Sequence, residues 1–175
     1  RSFNKSGRLQ IRNDLLLLLR GLSFRYLHKY ECAKEDFKEV LKTSEKKELA
    51  FLGLGLIMSD QNNYQSAINN FTKAINLNPK YDGAYNNRGN AKFYSKKYEE
   101  AIDDYTEAIN LNPKYDLAYF NRGNAKNYLE KYEEAIDDYT EAINLNPKDD
   151  LAYFNRGNAK NYLEKYEEAI DDYTE

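Results

Sequence analysis

The sequence is poor in the residues that most often build catalytic and metal centres. Its 175 residues include one Cys, one His, one Met and no Trp. A lone cysteine excludes an internal disulfide, and Cys32 and His28 together cannot supply the four ligands of a structural zinc site. We therefore predict no metal and no cofactor. A single reduced thiol favours a cytoplasmic location.

Long hydrophobic runs are also missing. The Leu15–Leu19 run lies between Arg12 and Arg20 and is far shorter than the ~20 apolar residues that span a bilayer, so we predict no membrane association. The chain has no initiator methionine at Arg1 and no signal-like segment, which leads us to expect a fragment or domain of a larger protein.

Charge is unevenly distributed along the chain. Residues 1–47 carry 12 Lys and Arg against 6 Asp and Glu, whereas residues 48–175 carry 14 against 23. In the basic part, Phe24, Tyr26, Tyr30 and Phe37 alternate with cations, a pattern also seen in proteins that bind single-stranded nucleic acid. We do not expect nucleic acid binding, because the acidic remainder would repel phosphate and the repeat described next already accounts for these aromatic residues.

The sequence repeats with a period of 34 residues. The hexapeptide NRGNAK occurs at Asn87–Lys92, Asn121–Lys126 and Asn155–Lys160. Alignment at this period places glycine at 21, 55, 89, 123 and 157, tyrosine at 30, 64, 98, 132 and 166, and alanine at 33, 67, 101, 135 and 169. Proline follows at 79, 113 and 147. Such a period predicts a stack of similar supersecondary units.

The order of these residues resembles the tetratricopeptide repeat. A large apolar residue, a glycine, an aromatic, an alanine, a second aromatic and a proline fall at that family's offsets when units are counted from 14, 48, 82, 116 and 150. The departures are arginine before the glycine in four units and lysine three residues after it in three. The resemblance implies an all-α fold, a right-handed superhelical solenoid of antiparallel helix pairs.

The register predicts the organisation of the chain. It gives an N-terminal extension (1–13), a degenerate first unit (14–47), three further units (48–81, 82–115 and 116–149) and a fifth unit (150–175) that stops within its second helix. We expect the apolar end of this fifth unit to be exposed, and to associate with another molecule or fray. A self-assembling array through uncapped solenoid ends is therefore an alternative function.

Helical periodicity predicts which residues pack. Within the fourth unit, Tyr119, Gly123 and Lys126 share one helical face, and Ala135 and Tyr139 share the facing one. Each proline is expected to end a second helix. Asp82, Asp116 and Asp150 stand where N-caps are wanted.

The hexapeptide is interpreted as part of a helix and not as a phosphate-binding loop. Its glycine lies in mid-helix, with no second glycine and no Lys-Ser/Thr pair following, so we assign the glycine to close helix packing. We expect Arg88, Arg122 and Arg156 to pair with carboxylates of neighbouring helices. The Glu-Glu-Ala-Ile-Asp-Asp stretches are interpreted as a solvated outer face.

In the family that the sequence resembles, the remaining positions of the first helices line the concave groove, so we expect them to form a peptide-binding groove in the last three units. An amide offers a donor and an acceptor, so it can pair with an extended backbone of any sequence, and aromatic rings add apolar contact area. The predicted groove residues are Asn86, Asn87, Asn90, Phe93, Tyr94, Phe120, Asn121, Asn124, Asn127, Tyr128, Phe154, Asn155, Asn158, Asn161 and Tyr162.

The resemblance adds a further expectation about this groove. Some members of the family hold extended polypeptide with an asparagine ladder, which the amides here match, whereas the cations of the family's carboxylate clamp are not matched. The first two units present leucines instead, at 15, 18, 19, 22, 49, 52 and 56. Asparagine is abundant throughout the chain, so composition and recent duplication remain an alternative explanation of the ladder.

No constellation for acid–base, nucleophilic or metal catalysis accompanies the repeats. The sequence therefore predicts a non-catalytic protein–protein interaction scaffold that binds a peptide or partner segment in its concave groove.

Overall fold

The computed structural model describes residues 5–43 and 45–174, which form ten α-helices and no strand. The N-terminal extension was predicted to cover residues 1–13, and residues 1–4 of it lie outside the described part. The helices are α1 (Lys5–Tyr26), α2 (Tyr30–Thr43), α3 (Lys47–Asp60), α4 (Tyr64–Leu77), α5 (Asp82–Tyr94), α6 (Tyr98–Leu111), α7 (Asp116–Tyr128), α8 (Tyr132–Leu145), α9 (Asp150–Tyr162) and α10 (Tyr166–Thr174). The predicted all-α fold of helix pairs is confirmed.

The chain divides into two compact units, residues 1–80 and residues 81–175. In the first unit, α1 packs on α2 and α3 on α4, and α3 also contacts α1 and α2. In the second unit, α5 packs on α6, α7 on α8 and α9 on α10, while α6 contacts α7 and α8 contacts α9. Within each unit, helix pairs thus bury their apolar faces against the next pair, as in repeat proteins.

The core of the first unit is built around Phe37. Its side chain is fully buried among Leu18, Val40 and Ile57. A Cβ added at Gly21 would lie 2.8 Å from Cε1 of this ring, so the ring occupies space that only glycine leaves open. Glycine in mid-helix costs about 1 kcal/mol relative to alanine, and this packing offsets that cost.

The core of the second unit repeats the same arrangement with tyrosine in place of phenylalanine. Tyr105 and Tyr139 are almost completely buried. A Cβ added at Gly89 would lie 2.6 Å from Cε1 of Tyr105, and one at Gly123 would lie 2.8 Å from Cε1 of Tyr139. The assignment of the hexapeptide's glycine to helix packing is confirmed.

The helix boundaries follow local chemistry. The second helices α4, α6 and α8 end two residues before Pro79, Pro113 and Pro147, as predicted from the geometry that proline imposes on its neighbour. The predicted aspartate N-caps are wrong, because Asp82, Asp116 and Asp150 are the first residues inside α5, α7 and α9. At α9 the capping carboxylate is that of Asp149, which accepts from the backbone N–H groups of residues 151 and 152.

Each helix pair turns through one residue with left-handed backbone geometry. These residues are His28, Asn62, Lys96, Glu130 and Glu164, with φ between 56° and 62°. None is glycine, although this region of φ disfavours other side chains. Five different units therefore accept a charged or polar side chain at the same turn position, including lysine at 96.

A buried carboxylate joins the two helices of each pair in the second unit. Asp138 Oδ2 and Oδ1 accept from Arg122 Nε at 2.9 Å and Nη2 at 2.7 Å, and Lys126 Nζ lies 2.9 Å from Oδ2. Arg88 and Lys92 hold Asp104 in the same way, as Arg156 and Lys160 hold Asp172. The predicted arginine–carboxylate pairing is confirmed.

The interpretation of the acidic stretches as a wholly solvated outer face is wrong. The first aspartate of each stretch, such as Asp137, is exposed, but the second is buried, with Asp138 only 3% exposed. The reason is the pair of cations that the first helix supplies, which makes burial of this carboxylate favourable. Arginine before the glycine and lysine after it, the two departures from the family pattern, thus act together.

The last of these carboxylates makes stability depend on pH. Burial disfavours the charged form of Asp172, but hydrogen bonds from Arg156 and Lys160 and the charge of both cations outweigh it, so its pKa lies below the ordinary value. Its stabilising contribution is therefore complete above the unfolded-state pKa near 4 and is lost as pH falls through the lowered native pKa.

We expect the difference in unfolding free energy between the wild type and Asp172→Asn to shrink as pH falls from 6 to 3. Asparagine cannot titrate, so only the wild type loses this contribution. Urea unfolding across this pH range measures the difference, with Asp171→Asn, at the exposed neighbour, as the matched control. A difference that stays constant with pH would contradict the assignment.

Candidate functional site

The fifteen predicted groove residues lie on α5, α7 and α9, the first helices of the three pairs in the second unit. The structure brings seven of them together around a cleft of about 680 Å³. These are Phe93, Tyr94, Asn124, Asn127, Tyr128, Asn155 and Tyr162. Glu130, Tyr132 and Tyr139 complete the lining, although the sequence analysis did not assign them to the groove.

The amides form hydrogen bonds between neighbouring first helices. Asn121 Nδ2 donates to Asn86 Oδ1 at 3.1 Å, which links α7 to α5, and Asn155 Nδ2 donates to Asn124 Oδ1 at 2.9 Å, which links α9 to α7. Asn86 is 5% exposed, so its buried amide orients the Asn121 side chain by accepting this hydrogen bond. Asn87 Nδ2 donates to the backbone oxygen of Gly83 at 2.7 Å.

A second set of hydrogen bonds orients the amides from the core. Tyr105 OH donates to Asn90 Oδ1 at 2.8 Å, Tyr139 OH to Asn124 Oδ1 at 2.9 Å and Tyr173 OH to Asn158 Oδ1 at 2.9 Å. Burial raises the pKa of Tyr105 and Tyr139, so both hydroxyls stay protonated and act as donors. With each oxygen engaged, the NH₂ group supplies the remaining hydrogen-bonding capacity of these amides.

Stacked tyrosines form the rim of the cleft. Tyr132 of α8 stacks on Tyr162 of α9, with ring centroids 4.9 Å apart, and Tyr98 stacks on Tyr128 at 5.1 Å. Phe93 meets the ring of Tyr128 edge to face at 5.2 Å. The tyrosines that begin α6 and α8 therefore pack on the tyrosines that end α7 and α9. Three of these four residues, Tyr128, Tyr132 and Tyr162, line the cleft.

The other predicted aromatic residues contribute to packing or lie apart from the cleft. Phe120 is half-buried and lies 6.0 Å from the ring of Tyr139, beside the core cluster of Ala135 and Ala159. Phe154 is 53% exposed and lies 6.0 Å from Tyr173. Asn161 is exposed at the end of α9. None of these three lines the cleft between α5, α7 and α9.

The leucines of the first unit form an exposed apolar strip on α1. Leu15, Leu19 and Leu22 are 51%, 53% and 42% exposed, whereas Leu18 turns into the core. Leu19 and Leu22 border a shallow cavity of about 510 Å³. The predicted apolar surface of the first unit is thus present on α1.

Several aromatic and cationic side chains of the basic part of the chain already have partners within the protein. Arg20 lies over the ring of Phe24 at 5.9 Å. Phe37 is fully buried. Arg20 donates to Asp36 and Arg25 to Asp60 through paired hydrogen bonds. These contacts favour packing and ion pairing over phosphate binding.

The described part of the chain has neither a metal-ligand cluster nor a membrane-spanning helix. No group of three or more His, Cys, Asp or Glu side chains there could hold a metal ion. No helix among the described residues is long and apolar enough to cross a membrane. His28, in the turn after α1, lies 2.8 Å from Tyr30 OH through Nδ1.

Comparison with known proteins identifies the repeat. A family model described as TPR repeat matches residues 58–93, 89–127 and 123–161, and a model described as tetratricopeptide repeat matches residues 151–175. No curated protein matches the sequence at a significant level.

Several solved structures share the fold. The chain resembles the crystal structure of MamA, with 27% identity and a TM-score of 0.80 over 88% of this chain and 90% of that one. It also resembles the Arabidopsis OM64 TPR domain, with 26% identity and a TM-score of 0.66 over 67% and 98%. Pseudomonas aeruginosa pilF shares the fold, with 19% identity and a TM-score of 0.87 over 94% and 75%. The chain therefore belongs to the tetratricopeptide repeat family.

Proposed function

We propose that the chain is a non-catalytic scaffold that binds an extended segment of another protein along α5, α7 and α9. Tetratricopeptide repeats generally bind other proteins or peptides, which supports the scaffold role. The main support for binding along these three helices is the row of oriented amides beside an aromatic cleft. In this proposal the amides donate hydrogen bonds to the bound segment and the aromatic rings pack against it.

The hydrogen bonds from the core favour backbone recognition. Because Tyr105 and Tyr139 hold the oxygens of Asn90 and Asn124, the amide NH₂ groups are available to donate to peptide carbonyl oxygens. An amide fixed before binding loses little conformational entropy when the peptide arrives. Tyr128 and Tyr162, 62% and 65% exposed, add apolar contact area beside this row.

We expect the triple variant Asn90→Ala, Asn124→Ala, Asn158→Ala to bind peptides at least about tenfold more weakly than the wild type. Three lost hydrogen bonds at ~0.5 kcal/mol each or more give this factor. A synthetic peptide array on the complete chain identifies binders, and fluorescence anisotropy then measures the dissociation constant of the tightest one. The same peptide with thioamides in place of its backbone amides is expected to bind more weakly too, because sulfur is a poorer hydrogen-bond acceptor than the carbonyl oxygen.

Two controls separate binding from stability. Asn110→Ala with Asn144→Ala removes exposed amides from the second helices and should leave affinity unchanged. The triple variant is also compared in a Tyr105→Phe, Tyr139→Phe background, because the alanines alone would strand two buried hydroxyls. Unchanged affinity in a folded triple variant would refute the proposal.

The alternative is self-assembly, and one observation favours it. Tyr166 and Ile170 of α10 are 57% and 60% exposed, whereas Tyr132 and Ile136, their equivalents in α8, pack against a core cluster. Light scattering across concentration on the same samples distinguishes the two functions. A mass that rises with concentration and no peptide binding would support the alternative.

A further inference from the structure

We propose that the cleft between α5, α7, α8 and α9 selects a basic side chain, lysine or arginine, of the bound segment. This inference rests on the proposed function, because it names the chemistry of the peptide that the amide row would hold. It is carried by the rings, the charge and the acceptors that line the cleft.

The aromatic lining offers π faces to a cation. Tyr128, Tyr132 and Tyr162 all border the cleft, and the last two are stacked with an interplanar angle of 10°. Phe93 adds another ring to the lining, in edge-to-face contact with Tyr128. Ammonium and guanidinium groups are attracted to such faces, and the attraction strengthens where water is partly excluded.

The charges at the cleft have one sign. Glu130 is the one charged residue among the described residues that line it. Lys126, the nearest cation along α7, is held instead by Asp138 and Glu134 at 2.9 and 3.6 Å, and Arg122 also pairs with Asp138. Residues 81–175 carry 12 Lys and Arg against 21 Asp and Glu, a formal net charge of −9. The field around the cleft therefore attracts cations and repels carboxylates.

One acceptor of the cleft is unsatisfied. Asn127 Oδ1 is buried and has no hydrogen-bond partner in the part of the chain that the structure describes. A buried polar atom of this kind requires a donor, and Asn127 is one of the residues that line the cleft. Lysine and arginine carry donors only, so either can satisfy this oxygen together with the carboxylate of Glu130.

Other occupants fit the same lining less well. A carboxylate would lie beside Glu130 and over the negative faces of the rings. An apolar side chain would remove water from Glu130 and Asn127 without replacing their hydrogen bonds. The rings alone would accept an apolar group, so the carboxylate and the amide decide in favour of a cation.

The experiment uses five capped peptides of about nine residues that differ only at the centre. Each has a Ser, Thr and Gly background with a central arginine, lysine, citrulline, norleucine or glutamate. NMR titration of the complete chain measures their dissociation constants. We expect the arginine and lysine peptides to bind about tenfold more tightly than the citrulline and norleucine peptides, and the glutamate peptide most weakly.

The repeat supplies matched variants. Glu130→Lys should abolish the preference for the basic peptides, while Glu164→Lys should leave it unchanged, because Glu164 occupies the same turn one repeat later and does not line the cleft. Lysine is already present at this turn position in Lys96, with φ of 62°. Both variants should therefore fold, and circular dichroism checks this.

The outcomes separate this inference from the proposed function. Equal affinities for the arginine and citrulline peptides, with binding weakened when thioamides replace the backbone amides, would overturn the basic preference and leave the peptide groove standing. Tightest binding of the norleucine peptide would also overturn it, in favour of an apolar occupant. If none of the five peptides binds, and the peptide array finds no binder either, both proposals fail.

Discussion

Replacing Asp138 with alanine is expected to lower the free energy of unfolding by about 3–5 kcal/mol. Arg122 and Lys126, whose side chains are 17% and 13% exposed, both direct their charge at this carboxylate, which is itself 4% exposed. Without it, two cations of like sign remain close together and partly withdrawn from water. The loss therefore includes the cost of uncompensated charge as well as the lost hydrogen bonds.

Urea unfolding of the complete chain, followed by circular dichroism, measures this effect. Asp137→Ala is the matched control, because Asp137 lies on the same helix and is exposed, and it should change stability by no more than about 0.5 kcal/mol. Replacing the whole triad, Arg122→Met, Lys126→Met and Asp138→Leu, should recover most of the loss. A loss below about 1 kcal/mol in Asp138→Ala would show that the triad does not depend on this carboxylate.

The fold was predictable because the same packing residues recur in each repeat. A glycine, an alanine and an aromatic residue recur at fixed offsets, and each column corresponds to one contact, such as Gly123 against Tyr139. The proline positions fixed the ends of α4, α6 and α8. Spacing of this kind is independent of side-chain detail, so it survives the arginine and lysine substitutions that distinguish this chain from the family pattern.

The three clusters of one arginine, one lysine and one aspartate, such as Arg122, Lys126 and Asp138, were predicted only in part. The sequence indicated that the arginine pairs with a carboxylate, but not which aspartate is buried. Periodicity places Asp137 and Asp138 on adjacent positions of one helix, and composition does not tell which of the two faces the neighbouring helix. The structure buries Asp138 and exposes Asp137. The missing signal was the joint occurrence of Arg122 and Lys126 four residues apart on the facing helix, which together require one buried anion.

The candidate site was predicted in its amides but not in its full lining. The sequence analysis assigned Tyr139 to helix packing and placed Tyr132 only in a repeat column, so neither residue was assigned to the groove. In the structure Tyr139 fills the core and also reaches Asn124 through its hydroxyl. Tyr132 stacks on a tyrosine of the next helix pair, 30 residues later. The contact of Tyr132 joins two repeats, and a single unit's pattern does not contain such contacts.

Replacing Gly89 with valine is expected to lower the free energy of unfolding by about 3 kcal/mol. Even the first added carbon would lie 2.6 Å from Cε1 and 2.9 Å from Cδ1 of Tyr105. This ring is 1% exposed, and its hydroxyl is fixed to Asn90 at 2.8 Å, so it cannot move aside without losing that bond. The gain in helix propensity, at most ~1 kcal/mol, is too small to compensate.

The same helix contains the control for this prediction. A Cβ at Gly83 would approach only the ring edge of Tyr81, at 3.2 Å, so Gly83→Ala should be neutral or stabilise the protein by up to about 1 kcal/mol. The cost of Gly89→Val should also fall by at least about 1 kcal/mol in a Tyr105→Leu background, because a flexible side chain yields where the ring does not. If Gly89→Val lowers the free energy of unfolding equally in both backgrounds, the glycine is required by the backbone of α5 and not by the ring of Tyr105. Coupling between the two sites would instead show that the tyrosine column and the glycine column are one packing unit, whose ring also donates a hydrogen bond to the Asn90 amide.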